Sequence, residues 1–196
     1  MSGNHSDSSI AARVRQLESL LEDRGLIDPG ALDEALAAFM ARASPANGAR
    51  IVAHAWLDAD FRGRLLADAN SAITELGMSM GGGLQPQRLR VVANTGTEHN
   101  VVVCTLCSCY PLALLGPSPT WYKSEAYRSR VVRDPRGVLA EFGLDLPAST
   151  RVTVWDASAE SRYMVLPQRP AGTEQLGEDE LAGLVTRKGL IGTALV

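Results

Sequence analysis

The chain's three cysteines all fall in one short segment, Val103-Cys104-Thr105-Leu106-Cys107-Ser108-Cys109-Tyr110-Pro111. Spacings of three and two residues let a tight loop bring the three thiols to one point, and a soft metal is the natural occupant of such a point. Tetrahedral zinc needs a fourth ligand, for which the nearby histidine is His99, and an iron–sulfur cluster normally takes four cysteines. An odd, clustered set cannot form the disulfide framework of a secreted scaffold. Another solution uses the backbone: two N–H groups lie between the sulfurs of Cys107-Ser108-Cys109 and are available as ligands. Three sulfurs with two deprotonated amides favour low-spin trivalent cobalt or iron and leave a sixth position open, which makes a Lewis acid. The bland alternative is three buried thiols with no ligand at all.

Such a loop must be held by regular structure on both sides. Ile10, Val14, Leu17 and Leu21 recur at helical spacing up to Gly25, and Asp28-Pro29 opens a second helix carrying Leu32, Leu36, Phe39 and Met40 as far as Ser44-Pro45. Asn47 is expected to cap a third helix with Ile51, His54 and Trp56, and Asp58 a fourth running through Phe61, Leu65, Leu66 and Ile73 to Gly77. His54 reads as a structural histidine. Gly81-Gly82-Gly83 ends the helical pattern, after which β-branched runs at Val91-Val92 and Val101-Val103 predict strands, so the cysteines sit where a strand stops. Downstream, a rigid irregular loop follows Tyr110-Pro111. Asp134-Pro135 starts a helix ending near Gly143, 151–155 and 162–166 read as strands, and 178–186 as a helix. The expected fold class is α+β: a polar tail and helical arm over 1–77, then a metal-binding catalytic domain over 78–196. In that domain a mixed or antiparallel sheet is flanked by helices in an α-β-β-α layering.

Composition narrows the possible partners. In 196 residues, 19 Lys and Arg against 22 Asp and Glu leave a net charge of -3, which gives no reason to expect nucleic acid. Hydrophobic residues at 45% are enough for one sizeable core and exclude a disordered chain. The most apolar stretch, Val101 to Gly116, is broken by Ser108 and Pro111 and falls short of the about 20 residues a membrane helix needs. The polar opening has neither a basic nor an apolar signal region, so a cytoplasmic location is expected.

Cys104-Thr105-Leu106-Cys107-Ser108-Cys109-Tyr110-Pro111 resembles the metal motif of nitrile hydratase α subunits, and Thr105, in place of serine, resembles their cobalt branch. The likeness runs from about residue 10 to the end, through Trp121-Tyr122-Lys123, Arg133 to Leu139, Glu141-Phe142-Gly143 and Tyr163 to Pro170. It implies Co(III), with Fe(III) as the alternative, held by the sulfurs of Cys104, Cys107 and Cys109 and the backbone nitrogens of Ser108 and Cys109. Cys107 would be a sulfinic acid and Cys109 a sulfenic acid; oxidation draws charge off sulfur and keeps the ion acidic. The implied reaction is hydration of a small-molecule nitrile to its amide, with the Cys109 sulfenate or a metal-activated water as nucleophile.

The same resemblance places Gln85 at the pocket and Lys123, Asp156, Glu160 and Arg162 in an outer shell around the loop. Each has an ordinary reading as a solvated or salt-bridging residue. Tyr110 is either a pocket hydroxyl or a packing aromatic. The chain offers no arginine beside the loop, so cationic partners for the oxidised sulfurs are expected from a β-type subunit in a hetero-oligomer. The stripe of the first helix either docks on that subunit or folds back on the chain's own sheet. Leu112-Ala113 stands where many members carry an aromatic and a proline, which implies a different pocket wall suited to a bulkier substrate. Gln85-Pro86-Gln87 and Leu89-Arg90-Val91-Val92 are more similar to the related subunit of thiocyanate hydrolase, the alternative enzyme, whereas Trp155-Asp156 and the run Leu166 to Pro170 resemble nitrile hydratase. A zinc-binding or redox-sensing module is the alternative outside enzymes.

Overall fold

Local chain chemistry dictates where the helices begin. The computed structural model describes residues 4–80, 87–107 and 109–196, which divide into two compact units, 1–42 and 43–196. The first unit holds α1 (Asn4–Asp23) and α2 (Pro29–Arg42), separated by a turn in which Gly25 adopts a positive φ of 64°. Asp28 caps α2 by accepting from the Gly30 and Ala31 amides. Ile10, Val14 and Leu17 of α1 are exposed, as is Leu36 of α2.

In the second unit, α3 (Pro45–Leu57) is followed by α4 (Ala59–Ala67) and α5 (Ala69–Glu75). Where the sequence predicts an Asn47 cap, Ser44 accepts from the Ala46 amide and Pro45 occupies the first turn, because its fixed φ suits that position. Asn47 instead donates to the Ala113 carbonyl at 3.0 Å, tying α3 to the segment after the cysteines. Asp58 caps α4 as expected, but the predicted continuous helix breaks at Asp68. That residue leaves helical geometry (φ -143°) and caps α5 through the Ser71 amide. These three helices, grouped with the arm from sequence, bury Ile51, Val52, Phe61, Leu65 and Ile73 in the same core as the strands.

The strands are β1 (Arg88–Ala93), β2 (Glu98–Val103), β3 (Arg151–Asp156) and β4 (Ser161–Leu166). β1 pairs with β4 and β2 with β3, and both pairings are parallel. The fold is therefore α+β, but the expected mixed or antiparallel sheet is corrected to two parallel pairs among the described residues. The short links 94–97 and 157–160 have the length of hairpins, yet each joins strands of different pairs. The true partners are separated by long crossovers, as parallel strands require.

Between β2 and β3 run α6 (Leu112–Leu115), a 3₁₀ turn (Thr120–Lys123), α7 (Glu125–Val131) and α8 (Pro135–Glu141). A turn of helix thus sits in the predicted irregular loop. The chain closes with α9 (Glu178–Leu184) and α10 (Arg187–Ile191). Val101, Val102 and Val103 are buried, so the strand that delivers the cysteines is anchored in the core up to the residue before Cys104. No helix among the described residues is long and apolar enough to cross a membrane.

Candidate metal centre

β2 ends at Val103, and the chain turns at once into the cysteine loop. The Sγ atoms of Cys104, Cys107 and Cys109 all lie within 4.8 Å of one another. Cys107 Sγ is 3.4 Å from Cys104 Sγ and 3.1 Å from Cys109 Sγ, and the Cys107 amide donates to Cys104 Sγ. Cys104 is buried, Cys109 half-buried and Cys107 exposed, so the cluster opens outward from a fixed inner sulfur. Burial and the neighbouring Cys107 thiol push the Cys109 thiol up to about 12, against the opposing pull of Arg162. Thiols packed this closely resist ionising together; a bound multivalent cation reverses that preference, so the donor set fits a thiophilic metal.

Neighbouring elements hold the loop by its polar atoms. Parallel register sets Asp156, the last residue of β3, opposite Val103. From there its carboxylate accepts from the Thr105 amide at 2.9 Å and the Thr105 hydroxyl at 2.6 Å. The segment spanning the 3₁₀ turn and α7 supplies three further donors. Tyr122 donates its hydroxyl to the Cys109 carbonyl (3.0 Å), Tyr127 to the Val102 carbonyl (2.7 Å), and Arg128 Nη1 to the Cys107 carbonyl (3.0 Å). Burial raises the pKa of both tyrosines, for Tyr122 with help from the neighbouring Tyr127, which keeps them protonated as donors.

Arg128 and these hydroxyls escaped the sequence reading, since nothing local joins residues 120–128 to the cysteines. Their signal was the aromatic-basic run Trp121-Tyr122-Lys123 and its sequel. The expectation that no arginine adjoins the loop is likewise corrected. Arg128 reaches Cys107, and Arg162, 9% exposed on β4, lies close enough to act on Cys109. Arg162 Nη1 also donates to the carbonyls of Ser158, Ala159 and Ser161, organising the turn before β4.

The other expected site residues are dispersed. Tyr110 is buried edge-on against Tyr122, its hydroxyl without a partner among the described residues. Lys123 is exposed, and Glu160 is exposed and bonded to Ser158. Leu112 is half-buried at the start of α6. Gln85 and Ser108, with Gly81, Gly82 and Gly83, lie outside the described residues. His99 is no zinc ligand: buried on β2, its ring nitrogens meet Asn94 Nδ2 at 3.2 Å and the Gly192 carbonyl at 2.7 Å. Among the described residues no imidazole or carboxylate joins the three sulfurs. His54 is structural as expected, bonded to Glu178 and edge-on to Phe61.

Residues 8–194 match the family model "Nitrile hydratase, alpha chain". The chain belongs to the nitrile hydratase α-chain family. It is 54% identical to the low-molecular weight cobalt-containing nitrile hydratase subunit alpha of Rhodococcus rhodochrous, over 97% of this chain and 90% of that one. The thiocyanate hydrolase subunit gamma of Thiobacillus thioparus is 46% identical over 77% of this chain and 65% of its own length. Among solved structures, a double mutant of the Fe-type nitrile hydratase from Comamonas testosteroni Ni1 superposes with a TM-score of 0.87 at 40% identity, covering 99% of this chain and 92% of that one. The cysteine cluster and these relatives together fit a cobalt nitrile hydratase.

Proposed function

We propose that this chain carries the metal centre for hydration of a nitrile to its amide. In this reading low-spin Co(III) is held by the sulfurs of Cys104, Cys107 and Cys109 and the backbone nitrogens of Ser108 and Cys109, inside an α-β-β-α layered core. Convergence of three sulfurs at the end of β2, in a chain so similar to a cobalt-containing relative, is the observation that carries it. When bound, the ion supplies a Lewis acid that polarises the nitrile.

The chain's own residues do the rest. Cys104, buried at the base, is a plain thiolate, whereas the more accessible Cys107 and Cys109 are positioned for oxidation to sulfinic and sulfenic acid. The Cys109 sulfenate oxygen forms a bond to the nitrile carbon while the nitrile nitrogen takes a proton from solvent, and water then replaces the oxygen on sulfur as the amide leaves. Asp156, Tyr110 and Arg162 complete the surroundings, with Gln85, Lys123 and Glu160 assigned to the pocket and subunit contact. Relatives named as subunits support an assembly in which a β-type chain adds arginines to the oxidised sulfurs.

Elemental analysis with intact mass tests the centre: cobalt with oxygenated cysteines is expected, and a single zinc with plain thiols overturns it. Single turnover of enzyme labelled with oxygen-18 in unlabelled water then identifies the nucleophile. Label in the amide supports the sulfenate, and its absence assigns attack to water. Likeness to a thiocyanate hydrolase subunit favours one second reading, decided by assaying a small nitrile against thiocyanate.

A further inference from the structure

Among the described residues, Arg64 and Arg130 pair with Glu75 and Glu141, whereas Arg128 has no carboxylate within ion-pairing distance. The residue is half-buried; Nη1 donates to the Cys107 carbonyl at 3.0 Å, and the buried Nε meets no acceptor among the described residues. A partly desolvated cation in that state is costly unless negative charge reaches it in the working protein.

The oxygen it grips belongs to the peptide unit whose nitrogen is that of Ser108. A peptide nitrogen serving as a metal donor carries negative charge, and peptide resonance shares that charge with the carbonyl oxygen of the same unit. The neighbouring donors differ in kind. Tyr122 and Tyr127 bond the Cys109 and Val102 carbonyls, whose peptide units carry the nitrogens of Tyr110 and Val103, neither of them in the proposed ligand set. Neutral hydroxyls thus serve peptides that stay neutral, and the cation serves one of the two that become donors. The Cys104 thiolate, the two oxidised sulfur anions and two anionic nitrogens also outweigh a trivalent ion, so the loaded loop is negative and a fixed cation stabilises it.

We propose that Arg128 is a positioning residue for the metal: its guanidinium on the Cys107 oxygen stabilises the donor form of the Cys107–Ser108 peptide and so retains the ion from within this chain. This rests on the ligand set proposed above.

The test is cobalt retained per chain, measured on holoenzyme dialysed against graded chelator, together with the visible sulfur-to-metal absorption and the melting temperature of each metal-free form. Arg128→Gln keeps a donor and removes the charge. It is expected to release cobalt at about tenfold to a hundredfold lower chelator concentration and to shift the absorption. Arg128→Lys should keep most of the retention, and all metal-free forms should melt alike. Wild-type retention in the Gln variant overturns the proposal, and so does equal loss in both variants. An unstable metal-free Gln variant overturns it as well, by assigning Arg128 a folding role. A wild-type chain that takes up no cobalt refutes the ligand set itself and is thereby told apart from failure at Arg128.

Discussion

Asp156 is the side chain that most directly sets the loop's path, because one carboxylate satisfies both the amide and the hydroxyl of Thr105. The Thr105 hydroxyl is half of that anchor. Asp156→Ala is expected to leave the Thr105 amide unpaired and free the segment between Cys104 and Cys107. Outer partners of this kind are worth about tenfold to a hundredfold in metal affinity, so cobalt content measured after chelator challenge should fall by that order while the chain remains folded. Asp156→Asn keeps one acceptor and should fall between.

At the scale of elements, β2 is held in mid-strand, at Asn100 and Val101, by the end of α10. Gly192 closes that helix at φ 89°, and a Cβ placed there meets the Asn100 carbonyl oxygen at 1.9 Å, deep inside contact distance. Both the left-handed backbone and the close approach of two main chains demand glycine. Gly192→Ala is expected to destabilise the fold by more than about 2 kcal/mol, read as a lowered midpoint in urea unfolding. Asn100 itself joins the two strand pairs. Its side chain donates to the Ala93 carbonyl and accepts from Trp155 Nε1, so buried amides replace the ladder that β1 and β2 do not share.

For the whole molecule, the buried His99 couples stability to pH. Burial holds its pKa below the ordinary 6.5, opposed by the hydrogen bond to the Gly192 carbonyl. In acid the unfolded chain therefore binds a proton that the folded chain refuses. The stabilising contribution is complete above pH 6.5 and is lost as pH falls toward the depressed folded value. Unfolding free energy should drop as pH falls through about 6.5, with a slope from this residue of at most about 1.4 kcal/mol per pH unit. His99→Gln should flatten that segment, as measured by denaturant titration across the range.

The type and spacing of Cys104, Cys107 and Cys109 were legible from sequence alone because ligand convergence in a short loop is a local property. Asp58, Asp134 and the β-branched run ending at Val103 were legible for the same reason: caps and strand periodicity act over a few residues. Strand pairing was not, since the links 94–97 and 157–160 look alike whether or not the strands they join are partners. Arg128 and Tyr122 were brought to the loop only by packing of segments distant in the chain, and Arg162 was expected there through the family resemblance alone. Sequence by itself determined which atoms can bind a metal. Tertiary structure decided which cations and hydroxyls surround them, because those contacts depend on the crossovers that parallel pairing imposes.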